Sequence, residues 1–294
     1  MQMKKPILEN KNLYIKDGNV SEFIEHLKGL VNNKEFRHVY YNKKAKKPWE
    51  CNNLGDALKQ YAWQGMDFEK TQSILLELAT KLKTAVNNGN ELETLRVSVD
   101  ILKWGGVLNG AQGVVKLFLQ NNLSRSIKEA VNVLTDEDLN LTGFSTHIED
   151  HSDDVDDISD SLGNYSNSPV RYRMNASFTK IYSLYSERPF IIYDSRVAAA
   201  LGLVVRRYWE ENHGSAALPQ LLSFSSLQGR SGNRNASANH VIFGKIRQEL
   251  QHAQWNVRAN WIIEAALVDV DYEKINKKMR EVEAALFMIG YNVS

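Results

Sequence analysis

Cysteine occurs once in this chain of 294 residues, at Cys51. One thiol excludes an internal disulfide, a cysteine-built zinc site and an iron–sulfur cluster, each of which needs several cysteines. Any chemistry therefore rests on nitrogen and oxygen groups. Proline is sparse, at positions 6, 48, 169, 189 and 219, so long stretches contain nothing that breaks a helix. No apolar run approaches the ~20 residues that cross a bilayer, and no hydrophobic stretch of signal-peptide length follows Lys4 and Lys5. The expectation is a cytoplasmic protein without membrane contact. A phosphate-binding glycine loop, a dinucleotide glycine motif, a Gly-x-Ser-x-Gly elbow and a His-Glu-x-x-His pair are also missing, which disfavours nucleotide hydrolysis and zinc proteolysis. What remains is 43% apolar, 10% aromatic and 24% charged, an ordinary globular composition. The length suits one large domain or two lobes sharing a cleft.

The net charge of +1 conceals a segregation. Between Thr135 and Asp160 stand ten acids and no lysine or arginine, whereas the remainder of the chain carries an excess of eleven positive charges. A basic surface attracts a polyanion such as DNA or RNA with salt-dependent affinity. Lysines scattered over solvated helix faces produce the same tally, so charge alone does not choose. Within the acidic stretch, Asp153, Asp154, Asp156 and Asp157 lack the ligand order and central glycine of a calcium-binding EF-hand loop; they read as an acidic loop over 149–160, and no metal site is expected.

Apolar residues recur at threes and fours over most of the chain, which predicts an all-α protein. Helices are expected from Ser21 to Val31, Leu54 to Trp63, after Asp67 until Asn88, Glu91 to Lys103, about Ala111 to Gln120 and Ser124 to Leu134. The acidic segment and the residues up to Pro169 lack this period. A lobe boundary is placed there, giving lobes over 1–160 and 161–294. Helices then resume at Ala176 to Tyr185 and Ser195 to Glu211, with short pieces near 215–223 and 238–252, and finish with Trp255 to Val268 and Asp271 to Ile289. Phe190 to Tyr193 reads as an extended linker, since four residues between Pro189 and a helix cap are short for a strand.

The segment from Ala176 to Leu201 carries the chemistry. It reads as a helix, a proline turn, an extended apolar stretch and a second helix capped by Asp194. The turn at Arg188-Pro189 returns Asp194 toward Lys180. An amine flanked by Phe178, Ile181 and Leu184 is desolvated, which favours its neutral, nucleophilic form. An aspartate at a helix N-terminus is instead stabilised as carboxylate by backbone N–H groups and the helix dipole. The two groups are thus assigned complementary protonation roles.

This segment resembles the active-site segment of the helix-hairpin-helix DNA glycosylases, within them the 8-oxoguanine DNA glycosylase branch. Thr179-Lys180, an apolar helix, a proline, and Asp194-x-Arg196-Val197-Ala198 carry the likeness. It is close over about thirty residues and looser over the whole helical plan, and the glycines usual before the Thr-Lys pair are replaced by Ala176-Ser177-Phe178. The resemblance implies a two-lobed helical fold with a divergent hairpin, Lys180 as a Schiff-base nucleophile attacking C1′ of a flipped nucleotide, and Asp194 as its essential carboxylate. It further implies duplex DNA as partner, no cofactor, and either excision alone or excision with strand cleavage.

Other residues are candidates for contact with DNA or the base. Arg196 lies in the first turn after Asp194. Arg230, Arg234 and Asn235 occupy a glycine-loosened loop suited to a DNA backbone, and Lys245 follows it. His252, Trp255, Asn256 and Arg258 combine polar and aromatic groups at helical spacing, as a pocket for a flipped base requires. Trp104-Gly105-Gly106 is read as a helix stop or as a loop reaching the ligand, and Lys43 to Lys47 as a basic loop beside aromatics, either solvated or bound to nucleic acid. The reading is a DNA glycosylase acting on an oxidised purine in repair or on a hypermodified base of foreign DNA in defence. Its rivals are a non-catalytic helical nucleic-acid-binding protein and a protein-interaction scaffold. No obligate protein partner is evident.

Overall fold

The computed structural model describes residues 8–43, 45–145, 172–227, 229 and 232–294. The acidic loop 149–160, the lobe boundary at 160 and Arg230 lie outside them. The chain starts with a short strand β1 (Leu8–Asn10), α1 (Lys11–Ile15) and α2 (Gly18–Val31), then a hairpin of β2 (His38–Asn42) and β3 (Lys47–Cys51), and α3 (Leu54–Lys59). There follow α4 (Phe68–Asn87), α5 (Glu91–Trp104), α6 (Ala111–Leu119), α7 (Leu123–Leu134) and a strand β4 (Asp138–Asn140) that pairs antiparallel with β1. The last helices are α8 (Phe178–Tyr185), α9 (Ser195–His213), α10 (Glu249–Ala266) and α11 (Tyr272–Ile289). The described chain is therefore mostly helical, and none of its helices is long and apolar enough to cross a membrane.

Local chemistry sets most of the boundaries. Asp67 and Asn90 cap α4 and α5, accepting the N–H of Lys70 and Glu93, and Gly89 turns between them in the left-handed region at φ +63°. At the head of α5, Glu91 accepts both Leu123 N and Ser124 N, capping α7 from a neighbouring helix.

Several boundaries differ from expectation. The cap of α2 is Asp17, which accepts Asn19 N and Val20 N, whereas Ser21 sits one turn inside and donates to Gly18 O. Helix α3 stops at Lys59, because Trp63 pairs with Met66 around Gln64 and Gly65, both at positive φ. No helix forms over 238–248; α10 begins at Glu249 and runs through as one element, while near 215–223 only a 3-10 turn at Gln220–Leu222 appears. Phe190 to Tyr193 is extended without ladder partners, as expected.

The helices gather in two groups that do not follow sequence halves. Helices α3 and α9 pack on α11, and α2 on α10, so the N-terminal segment joins the C-terminal helices. Helix α4 packs instead on α5, α7 and α8. One continuous core joins both groups. Helices α9 and α10 are buried nearly all round, as expected for helices without a polar stripe. Small residues make this feasible in α9, where Gly202 lies against Ala236 and Phe243.

Candidate active site

Helix α8 opens under Asn175, whose Oδ1 accepts the N–H of Ser177 and Phe178. The amides just before Thr179-Lys180 are thus already satisfied within the chain. One turn on, the Lys180 side chain is 5% exposed. Its Nζ donates to Ala176 O at 2.9 Å and stands 3.8 Å from Asp194 Oδ2. The proline turn therefore brings the expected amine and carboxylate together.

The extended stretch between them has no sheet to satisfy its backbone, and buried peptide groups need partners. Side chains from three helices supply them. Ile191 N donates to Asn260 Oδ1 at 2.8 Å and Ile191 O accepts from Asn256 Nδ2 at 3.3 Å. Ile192 N donates to Glu283 Oε2, Tyr193 N to Thr179 Oγ1, and Tyr193 O accepts from His252 Nε2. Asp194 then caps α9, its Oδ1 accepting Arg196 N at 2.9 Å and Val197 N at 3.2 Å.

Lys180 and Asp194 border a cleft where the two helix groups meet. Tyr61, Trp63 and Phe68 form one wall, Trp104 and Gly105 the end of α5, and Phe287 with Arg280 and Glu283 a third side from α11. Trp63 meets Phe287 edge-on at 5.4 Å and Trp104 at 6.5 Å. Both Trp63 Nε1 and Gln64 Nε2 donate to Trp104 O, fixing the corner. A Cβ on Gly105 would stand 2.6 Å from Lys180 Cδ, so the glycine admits the lysine stem. Trp104-Gly105 is thus both the helix stop and a piece of the cleft.

Burial pushes the Lys180 ammonium below the usual lysine range; Asp194 and Glu283 oppose the shift and Arg196 adds to it. Burial likewise raises Glu283, with Asp194 adding to the rise and Arg280 and the Ile192 N–H opposing it. Arg280 Nη1 donates to Glu283 Oε2 at 2.6 Å. A nearly dry amine facing carboxylates beside an aromatic cleft loses its proton more readily than a solvated lysine, and the neutral amine can attack an electrophilic carbon.

The residues expected to form a base pocket are elsewhere. His252 and Asn256 are buried holding the 190–193 stretch, and burial lowers His252 to about 4. Trp255 packs on Phe224 at 5.0 Å, and Arg258 covers Trp255 while pairing with Glu9 at 2.6 Å. None of the four lines the cleft. Polar groups at helical spacing are the signature of a buried support as much as of a pocket.

The expected DNA contacts also divide. Arg234 is buried and caps the C-terminus of α11 through Gly290 O and Tyr291 O. Asn235 is exposed and turns the chain by accepting Ser237 N and Oγ, and Lys245 is exposed. Arg196 lies 4.1 Å from the centre of Phe287 and 5.1 Å from that of Tyr291. Unforeseen contributors to the site are Tyr61, Trp63, Phe68, Phe287, Arg280, Glu283 and Thr179. A charged Glu283 beside the apolar stripe of α11 was the one signal available for this wall. No group of three or more metal-ligating side chains occurs among the described residues.

No family model, curated protein or solved structure matches the chain.

Proposed function

We propose that the protein is a DNA glycosylase with a two-lobed helical glycosylase-type architecture, which flips a damaged or modified base from duplex DNA and excises it. One observation carries this reading: a desolvated lysine amine 3.8 Å from an aspartate carboxylate, both bordering an aromatic-walled cleft. Aromatic walls suit an extruded base, which is held by stacking.

In the reaction, Lys180 passes a proton toward Asp194 Oδ2, and its freed lone pair attacks C1′ of the flipped nucleotide. The C1′–N bond breaks as the new C–N bond forms, and the base leaves with the bonding pair and takes a proton from water. Opening of the sugar ring and loss of the amine proton give a Schiff base, from which β-elimination releases the 3′ phosphate. Asp194 also offsets positive charge developing on the sugar. Arg196, held against aromatic rings at the cleft side, and the exposed Lys245 are assigned to phosphates. The substrate is an oxidised purine, in a repair role, or a hypermodified base in foreign DNA, in a defence role.

The competing reading is a non-catalytic helical nucleic-acid-binding protein. It is favoured by the bond from Lys180 Nζ to Ala176 O, which satisfies the amine within the fold. Borohydride trapping against duplexes carrying different damaged or hypermodified bases, with base release followed in parallel, separates the two. A covalent adduct with wild type and none with Lys180→Gln is the expected result. Base release without trapping assigns the attack to water near Asp194, and neither signal on any duplex leaves the binding protein.

A further inference from the structure

The basic segment at 43–47 is the tip of the β2–β3 hairpin, and the function proposed above leaves it unused. From Phe36 to Trp49 the sequence holds one arginine and four lysines and no acid. The inner face of the hairpin is firmly seated: Tyr40 stacks on Trp49 at 4.8 Å and on Tyr291 at 5.4 Å, and Tyr40 Oη donates to Met288 O. The tip itself is shaped by Asn42 Oδ1, which accepts Ala45 N at 3.0 Å, and by Lys46 in the left-handed region at φ +53°. Lys43, Lys46 and Lys47 are exposed, and among the described residues none has a carboxylate within ion-pair distance. On the outer face Tyr41, 56% exposed, lies across from Pro48.

Like charges repel one another, and among the described residues Lys43, Lys46 and Lys47 have no carboxylate partner, so an external polyanion stabilises the arrangement. A two-stranded ribbon on a rigid base presents its lysines in fixed order, whereas a loose lysine tail does not. The same Tyr291 that seats Tyr40 is covered by Arg196, two residues beyond Asp194, so the hairpin stands on the element that borders the cleft.

We propose that the β2–β3 hairpin is a second contact of this protein with duplex DNA, its tip lysines lying on the phosphate backbone outside the cleft. This rests on the glycosylase reading for its ligand. Each phosphate neutralised on B-DNA contributes about 0.9 to the slope of log affinity against log salt.

The test uses the full chain with Lys43→Gln, Lys46→Gln and Lys47→Gln combined, and Lys128→Gln on an exposed turn of α7 as the control. Duplex affinity is measured by anisotropy across a salt series, together with the thermal midpoint and adduct formation at saturating duplex. The expected result is an affinity at least about tenfold weaker and a salt slope smaller by about two to three, with the midpoint and the saturated adduct rate unchanged. Wild type and triple variant binding with equal affinity and slope overturns the hairpin contact and leaves the glycosylase reading standing. A wild type that binds no duplex overturns both. Loss of binding to phosphatidylserine–phosphatidylcholine vesicles, with duplex binding intact, assigns the hairpin to membranes and overturns the proposal.

Discussion

Thr179 Oγ1 accepts the N–H of Tyr193 at 2.8 Å, fourteen positions away. These are the residues immediately before Lys180 and Asp194, and both are fully buried. One hydrogen bond thus registers the end of the extended stretch against α8 and sets the separation of amine and carboxylate. Thr179→Val keeps the shape and removes the acceptor, leaving a buried N–H unsatisfied at a cost of about 1–3 kcal/mol. We expect that loss in chemical denaturation and a matching fall in adduct formation; Thr179→Ser restores both. Equal behaviour of Val and Ser variants would show that packing, not the bond, holds the register.

The pH profile of Lys180 follows from its surroundings. Burial favours the neutral amine, so adduct formation rises with pH and levels off below the ordinary lysine value. Asp194 raises the lysine, so Asp194→Asn moves the rising limb to lower pH while reducing the plateau by about a hundredfold or more. Asparagine still caps α9, so the thermal midpoint changes little. A limb that stays in place in the variant would contradict the electrostatic coupling.

Gly105→Ala tests whether the lysine stem needs its channel. The added Cβ meets Lys180 Cδ at 2.6 Å and Cε at 2.7 Å, and the side chain must move. A displacement of about 1 Å at a reacting group reduces rate on the order of a hundredfold. Adduct formation should fall by that order with duplex affinity near wild type. Full activity in this variant would mean that the lysine reacts from another position.

Acid sensitivity isolates the support role of His252. Its value in the fold is about 4 against 6.5 for the free side chain, so the unfolded chain binds the extra proton between those limits. Stability contributed by neutral His252 is present above about pH 6.5 and is lost as pH falls toward 4, at up to about 1.4 kcal/mol per unit. Glu283, raised by burial, contributes with opposite sign in part of that range. The difference in unfolding free energy between wild type and His252→Gln removes that contribution and should change only below pH 6.5. A flat difference would place His252 outside the buried network.

Much of the helical plan was legible because periodicity and caps are local. Asp67, Asp194 and Asp271 mark the starts of α4, α9 and α11 where expected. The hairpin at 38–51 was missed, since its alternation of buried and exposed residues spans only five positions per strand. Caps supplied from a distance, such as Glu91 on α7, leave no local pattern either. Among site residues, Lys180 and Asp194 were readable because a proline turn brings nearby segments together. The aromatic walls were not, as Tyr61 and Trp63, Trp104, and Phe287 belong to three separate stretches.

The sequence alone determined a mostly helical chain, the absence of an internal disulfide, and an amine and a carboxylate on adjoining elements. It could do so because helical period, thiol count and chain reversal are properties of short range. Only the tertiary structure decided that His252 and Asn256 support the backbone while Phe287 and Glu283 face the cleft, and that the lysine run is the tip of a seated hairpin. A buried polar residue and a pocket residue are chemically alike, and which one a side chain becomes depends on the elements packed against it.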